Sequence, residues 1–183
     1  MRRCLALLFL CLLALPLSAS ANSHEWKIKG SSYQMDIVLM ERVWARLVKE
    51  MNIPVGIEPP PMIFDSSYPS DVNMAFVYSI MPEYIVPSHI AVSPRAINKK
   101  NLSADHFIWG IGHELTHFAF VMRDNGWKYA PYYVEKTKHH HCNREFQRIT
   151  KALADEIWDA HHDDTMRAFL YGEVILVCEY SPD

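Results

Sequence analysis

The chain has little cysteine to work with, and this limits what can hold it together. Of its four cysteines, Cys4 and Cys11 fall in the N-terminal apolar run, so only Cys142 and Cys178 remain for the folded domain. They allow at most one disulfide and no cysteine-rich zinc ribbon. Neither sign of charge dominates: 18 Lys and Arg stand against 21 Asp and Glu, a formal net charge of −3. Such a balance leaves no electrostatic footprint for nucleic acid. Beyond the N-terminus no apolar run is long enough to span a bilayer. No internal repeat or low-complexity tract is visible apart from the triplet His139-His140-His141.

The N-terminus reads as an export signal. A basic head, Met1-Arg2-Arg3, is followed by an apolar run from Cys4 to Leu15, broken by Pro16, with Ala19-Ser20-Ala21 as a small-residue cleavage site. The run is short for a membrane span and right for a secretory signal peptide over residues 1–21. A lipoprotein anchored at Cys11 fits less well, because Leu8-Phe9-Leu10 lacks the small residue such processing favours. An uncleaved N-terminal anchor is the other alternative. Cleavage leaves residues 22–183, enough for one domain with a real core, and the loss of Arg2 and Arg3 takes the charge from −3 to −5. In an oxidising compartment Cys142 and Cys178 can pair; two buried thiols, or Cys142 as a metal ligand, stay open beside that.

The chemistry concentrates in Gly110-Ile-Gly-His-Glu-Leu-Thr-His-Phe-Ala-Phe120. His113 and His117 are four residues apart, so on a helix both imidazoles project from one face. Two such rings can grip one zinc ion, and Glu114 then lies beside them, placed to take a proton from an activated water. The surroundings support a helix. Ser103 is a candidate N-cap and Asp105 a first-turn acid that suits the helix dipole. Phe107, Ile111, Leu115, Phe118 and Met122 recur at three- and four-residue steps, and Asn125-Gly126 is a plausible stop. Gly110 and Gly112 cost helix stability, which implies close packing against them. The bland alternative is a surface helix with two satisfied histidines.

Around this helix the pattern predicts an α+β domain: a short sheet packed on the motif helix, with flanking helices. Tyr33 to Met51 reads as an amphipathic helix with Ile37, Met40, Trp44, Leu47 and Val48 on its apolar face, ended by Pro54. Pro59-Pro60-Pro61 is a stiff connector. Met74 to Ile80 and Tyr84 to Val92 are rich in β-branched and aromatic residues and read as strands, with Pro87 marking an edge or a break. His89 to Ser93 is a candidate edge strand beside the cleft, able to hold an extended peptide. Tyr129, Tyr132 and Tyr133 fall in an aperiodic segment, and one of them is a candidate oxyanion donor. Phe146, Ile149, Leu153, Ile157 and Ala160 mark a helix capped by Asn143. Thr165 to Tyr171 extends it or forms another, and Val174 to Cys178 is a strand or a buried helical turn.

A catalytic zinc takes three protein ligands and leaves a fourth position for water. Candidates for the third are the histidine triplet, Cys142 just after it, and Glu156, which would make a His-His-Glu site. A His-Glu-x-x-His helix, a variable loop, and a histidine just before the Glu145-Phe146 helix together resemble the SprT-like family of zinc metallopeptidases, over about residues 90 to 153. The resemblance implies a zincin-type peptidase domain whose third zinc-binding histidine maps onto the His140-His141 end of the triplet, with His141 nearest. The family's usual spacing lands on Cys142, which keeps that residue among the candidates. The missing zinc ribbon and the export signal argue against the DNA-associated work of some relatives.

The expectation is therefore a secreted or periplasmic zinc metallopeptidase acting on a peptide or protein. His113, His117 and His141 hold the metal, Glu114 serves as general base, and Asp155, Glu156 or Asp159 orients a histidine. Neutral histidines are needed for binding, so metal affinity should fall below about pH 6. A non-catalytic zinc-binding or interaction protein and a zinc amidase acting on a cell-wall amide are the alternatives.

Overall fold

The computed structural model describes residues 24–69, 72–81, 85–98, 102–123 and 143–162. The leader (1–21), Tyr129, Tyr132, Tyr133, Asn125-Gly126, the histidine triplet, Cys142, Cys178 and the two C-terminal segments lie outside them. Among the described residues no helix is long and apolar enough to cross a membrane.

The fold is α+β. Its strands are β1 (Ile28–Lys29), β2 (Met62–Phe64), β3 (Met74–Ile80) and β4 (Ile85–Val92), in the spatial order β1-β2-β4-β3. The pairs β1–β2 and β2–β4 are parallel, while β3 and β4 form an antiparallel hairpin. The helices are α1 (Ile37–Met51), the short α2 (Pro94–Ile97), α3 (Ala104–Arg123) and α4 (Arg144–His161).

Local signals explain where the helices begin and end. Asp36 caps α1 by accepting the Leu39 N–H at 3.0 Å. Asn52 ends it in the left-handed conformation (φ 51°), two residues ahead of the Pro54 that the sequence suggests as the stop. Ser103 accepts the His106 N–H at the start of α3, as expected. Asn143 accepts the Glu145 and Phe146 N–H groups at the start of α4.

The expected face of α1 holds except at one residue: Met40 and Leu47 are buried and Trp44 and Val48 pack half-buried against the core, joined by Leu39, Val43 and Met51, whereas Ile37 lies in the first turn and is 54 % exposed. His89–Ser93 is not an edge strand. β4 is interior, paired with β2 along Ile90–Val92 and with β3 along its length, and among the described strands the edges are β1 and β3. The reason is β2: three residues after three prolines are too few to read from periodicity, yet they cover the far side of β4. Pro87 is accommodated where β2 has not yet begun, at a register irregularity opposite Val77 and Tyr78, so its missing N–H removes no ladder bond on that side.

Helix α3 is central rather than amphipathic on a surface. Phe107, Ile111, Leu115 and Phe118 are buried, and so are Ile108, Gly112, Thr116 and Ala119 around the helix. At Gly112 an added Cβ would stand 3.0 Å from Val43 Cγ1 of α1 and 3.1 Å from Leu153 Cδ1 of α4, so the glycine is the point where three helices meet. At Gly110 it would meet the flexible end of Met74, with Sδ at 3.0 Å. Gly112→Ala should therefore destabilise the domain by about 1–3 kcal/mol, because a stiff valine and a packed leucine must both move. Gly110→Ala should be near neutral, since Met74 can swing away and alanine favours the helix by about 0.5–1 kcal/mol. Urea midpoints of the two variants check the contrast.

A second tie joins three helix ends. Asp105, only 7 % exposed in the first turn of α3, meets His161 Nδ1 of α4 at 2.6 Å, and His161 Nε2 lies 3.7 Å from Asp36, the N-cap of α1. Two acids at helix N-termini and a histidine at a C-terminus also suit the dipoles. His161→Ala leaves the buried Asp105 carboxyl without this partner, and a loss of about 1–3 kcal/mol at neutral pH is expected by thermal or urea unfolding.

Candidate metal centre

The two motif histidines leave α3 one turn apart, toward the N-terminal end of α4. Their rings are 5.0 Å apart between centroids, at 73° to each other. Phe146 touches both, with centroid distances of 5.1 Å to His113 and 4.6 Å to His117. Trp109 flanks His113 at 5.2 Å and is held in place by its indole N–H, which donates to the Thr150 carbonyl of α4 at 3.2 Å. Two aromatic side chains thus fix the imidazoles on their apolar sides. The Asn143 cap sets where α4 begins, which brings Phe146 to the pair. The Arg123–Glu145 ion pair, at 2.7 Å, draws the end of α3 to the start of α4.

Glu114 points the other way, toward the sheet. Its Oε2 accepts the backbone N–H of Phe76 at 2.8 Å, and Phe76 lies in the edge strand β3. The Phe76 ring packs on Phe118 one turn further along α3, at 5.9 Å. Met74 against Gly110, Phe76 against Glu114 and Phe76 against Phe118 lay β3 alongside α3, with the carboxyl turned to β3 and the histidine pair turned to α4. Burial pushes the Glu114 carboxyl up to about 8, and the Phe76 hydrogen bond only partly offsets it.

The donor set fits zinc as far as the described residues go. Nitrogens bound at about 2.0–2.1 Å to one tetrahedral ion lie roughly 3.3 Å apart, which rings 5.0 Å apart on one helix face can satisfy by turning. Among the described residues no group of three or more His, Cys, Asp or Glu comes together as a complete metal set. His141 and Cys142 lie outside them. Glu156 lies within them, bound by Arg42 of α1 at 2.8 Å and ten residues beyond Phe146, roughly 15 Å further along the helix axis. This pairing turns it toward α1, so it serves as a tie between helices and not as the third ligand. Of the candidate histidine orienters, Asp159 is exposed and Asp155 half-buried.

Sequence reasoning did not find the groups facing Glu114. The Phe76 N–H belongs to a backbone and carries no sequence signal; Trp109, on the His113 ring, lies outside the apolar stripe read from the sequence, and Phe146 entered that reading as a helix residue and as part of the Glu145-Phe146 pair, not as a contact of the histidines. Tyr68, in the turn after β2, also lies in the field of Glu114: burial, then Glu114 and Asp65, raise its phenol above the usual tyrosine range. Comparison with protein-family models, with curated proteins and with solved structures finds no match to this chain.

Proposed function

We propose that this chain is an exported zinc-dependent hydrolase of peptide bonds, with His113, His117 and His141 as metal ligands and Glu114 as general base. One observation carries the reading. Two imidazoles share one face of α3, one turn apart, and the carboxyl next to the first of them in sequence is held by a strand-edge N–H. The resemblance to SprT-like peptidases supports it, and so does chain connectivity for the third ligand. His141 is two residues before Asn143, within about 8 Å of it at roughly 3.8 Å per residue, and Asn143 begins the turn whose Phe146 touches both rings.

When bound, zinc supplies Lewis-acid polarisation of the scissile carbonyl and acidifies a water. The chain does the rest. His113 and His117 hold their orientation against Trp109 and Phe146, and the aromatic contacts keep bulk water from that side. Glu114 takes the proton of the attacking water and delivers it to the leaving amine. Without metal, its raised pKa keeps the carboxyl protonated and idle near neutrality. A positive charge held by the histidine pair would favour the carboxylate form of Glu114.

The test is purification without chelator, metal quantification, and a panel of peptide and cell-wall amide substrates with and without a chelator. Stoichiometric zinc with chelator-sensitive peptide cleavage supports the reading. Cleavage confined to cell-wall amides makes the chain an amidase, zinc without turnover makes it a binding protein, and absence of zinc sinks the assignment.

A further inference from the structure

Cleavage after Ala21 turns the next three residues into a donor set that they are not inside an uncut chain. Asn22, Ser23 and His24 then open the protein, with an imidazole at the third position. The free α-amine, two main-chain N–H groups and the ring supply four nitrogens. Successive nitrogens are joined through two or three carbon atoms, which closes small chelate rings without strain. Neither Ser23 nor His24 is proline, so both main-chain nitrogens have a proton to give up in exchange for a metal.

The fold anchors the third residue. Trp26, two positions beyond His24, is only 4 % exposed, and its indole N–H donates to Glu41 Oε1 of α1 at 2.6 Å. The His24 ring stands edge-on to that indole, with centroids 4.5 Å apart at 73°. Yet among the described residues neither the ring nitrogens nor the main-chain N–H of His24 makes a hydrogen bond. Burial lowers the imidazole below the usual histidine pKa, and Glu58, Glu41 and Glu25 offset this in part. The ring is therefore neutral near neutral pH, the form a metal requires. The same three carboxylates draw cations toward it.

We propose that Asn22-Ser23-His24 at the exported amino terminus is a copper(II) site, built from the Asn22 α-amine, the Ser23 and His24 main-chain nitrogens and His24 Nδ1. The inference rests on export with cleavage after Ala21 and is independent of the hydrolase reading. The α-ammonium and the two amides each release a proton as their nitrogens bind. Four nitrogens in a plane suit copper(II), with nickel(II) the nearest substitute, and do not suit the tetrahedral preference of zinc. The amino terminus and the histidine pair of α3 thus select different metals.

The experiment uses the full chain recovered after export, with its first residue read by N-terminal sequencing, and titrates it with copper(II) alone. Expected are a start at Asn22, one equivalent bound with the visible band and nitrogen hyperfine pattern of a four-nitrogen square plane, and a fall in tryptophan emission from the neighbouring Trp26. His24→Ala, and a chain that keeps Ala21 ahead of Asn22, should both lose that signal. The second variant alters no side chain and only moves the histidine out of third place. Both keep His113 and His117, so copper held by that pair cancels from the comparison. A chain that starts at Asn22 and gives the same spectrum with Ala21 retained, or with His24 replaced, overturns the proposal. A chain that is uncut or cut elsewhere removes the cleavage read from the sequence, and the site with it.

Discussion

Glu114→Gln is expected to bind zinc at native stoichiometry and to lose kcat by about 10²–10⁴-fold, the usual size of a general-base contribution. The substitution keeps the shape, and the amide oxygen can still accept the Phe76 N–H that now binds Oε2 at 2.8 Å. What it removes is the capacity to take a proton. Metal quantification and steady-state rates on one preparation decide the matter. An unchanged kcat in a zinc-replete variant would strike Glu114 from the mechanism. His113→Ala gives the complementary loss, since it removes a ligand and should abolish zinc binding and turnover together.

The second large effect concerns stability and its sign. In the metal-free chain the Glu114 carboxyl titrates at about 8, against an ordinary 4.5. Below 4.5 the folded and unfolded chains both hold this proton, and its contribution to stability is complete. Between 4.5 and 8 only the folded chain holds it, so stability falls as pH rises, by about 1.4 kcal/mol per unit. Above 8 the burial of a carboxylate has cost its full amount, up to about 5 kcal/mol on this reckoning. Glu114→Gln removes that slope, so native and variant urea midpoints in chelator should converge at pH 5 and separate at pH 8, with the variant more stable there. Parallel curves would mean that the carboxyl is well solvated. Zinc should flatten the native curve as well, by favouring the ionised form.

The histidine pair and its glutamate are legible because an i, i+4 spacing on a helix is a geometric statement wherever the helix goes. The caps at Ser103 and Asn143 are equally local, as is the strand over Met74–Ile80. The close approach implied by Gly110 and Gly112 was legible as a demand for space, but not its makers, Met74, Val43 and Leu153.

Helix, cap and metal-face spacing follow from neighbours along the chain, and the sequence by itself determined those. Tertiary structure alone decided that β3 and not β4 is an edge, that Glu156 is taken by Arg42, and that a main-chain N–H from β3 meets Glu114. Those contacts join residues 38 to 114 positions apart. Strand pairing depends on which backbone edges are left uncovered once the layers pack, and no local pattern encodes that.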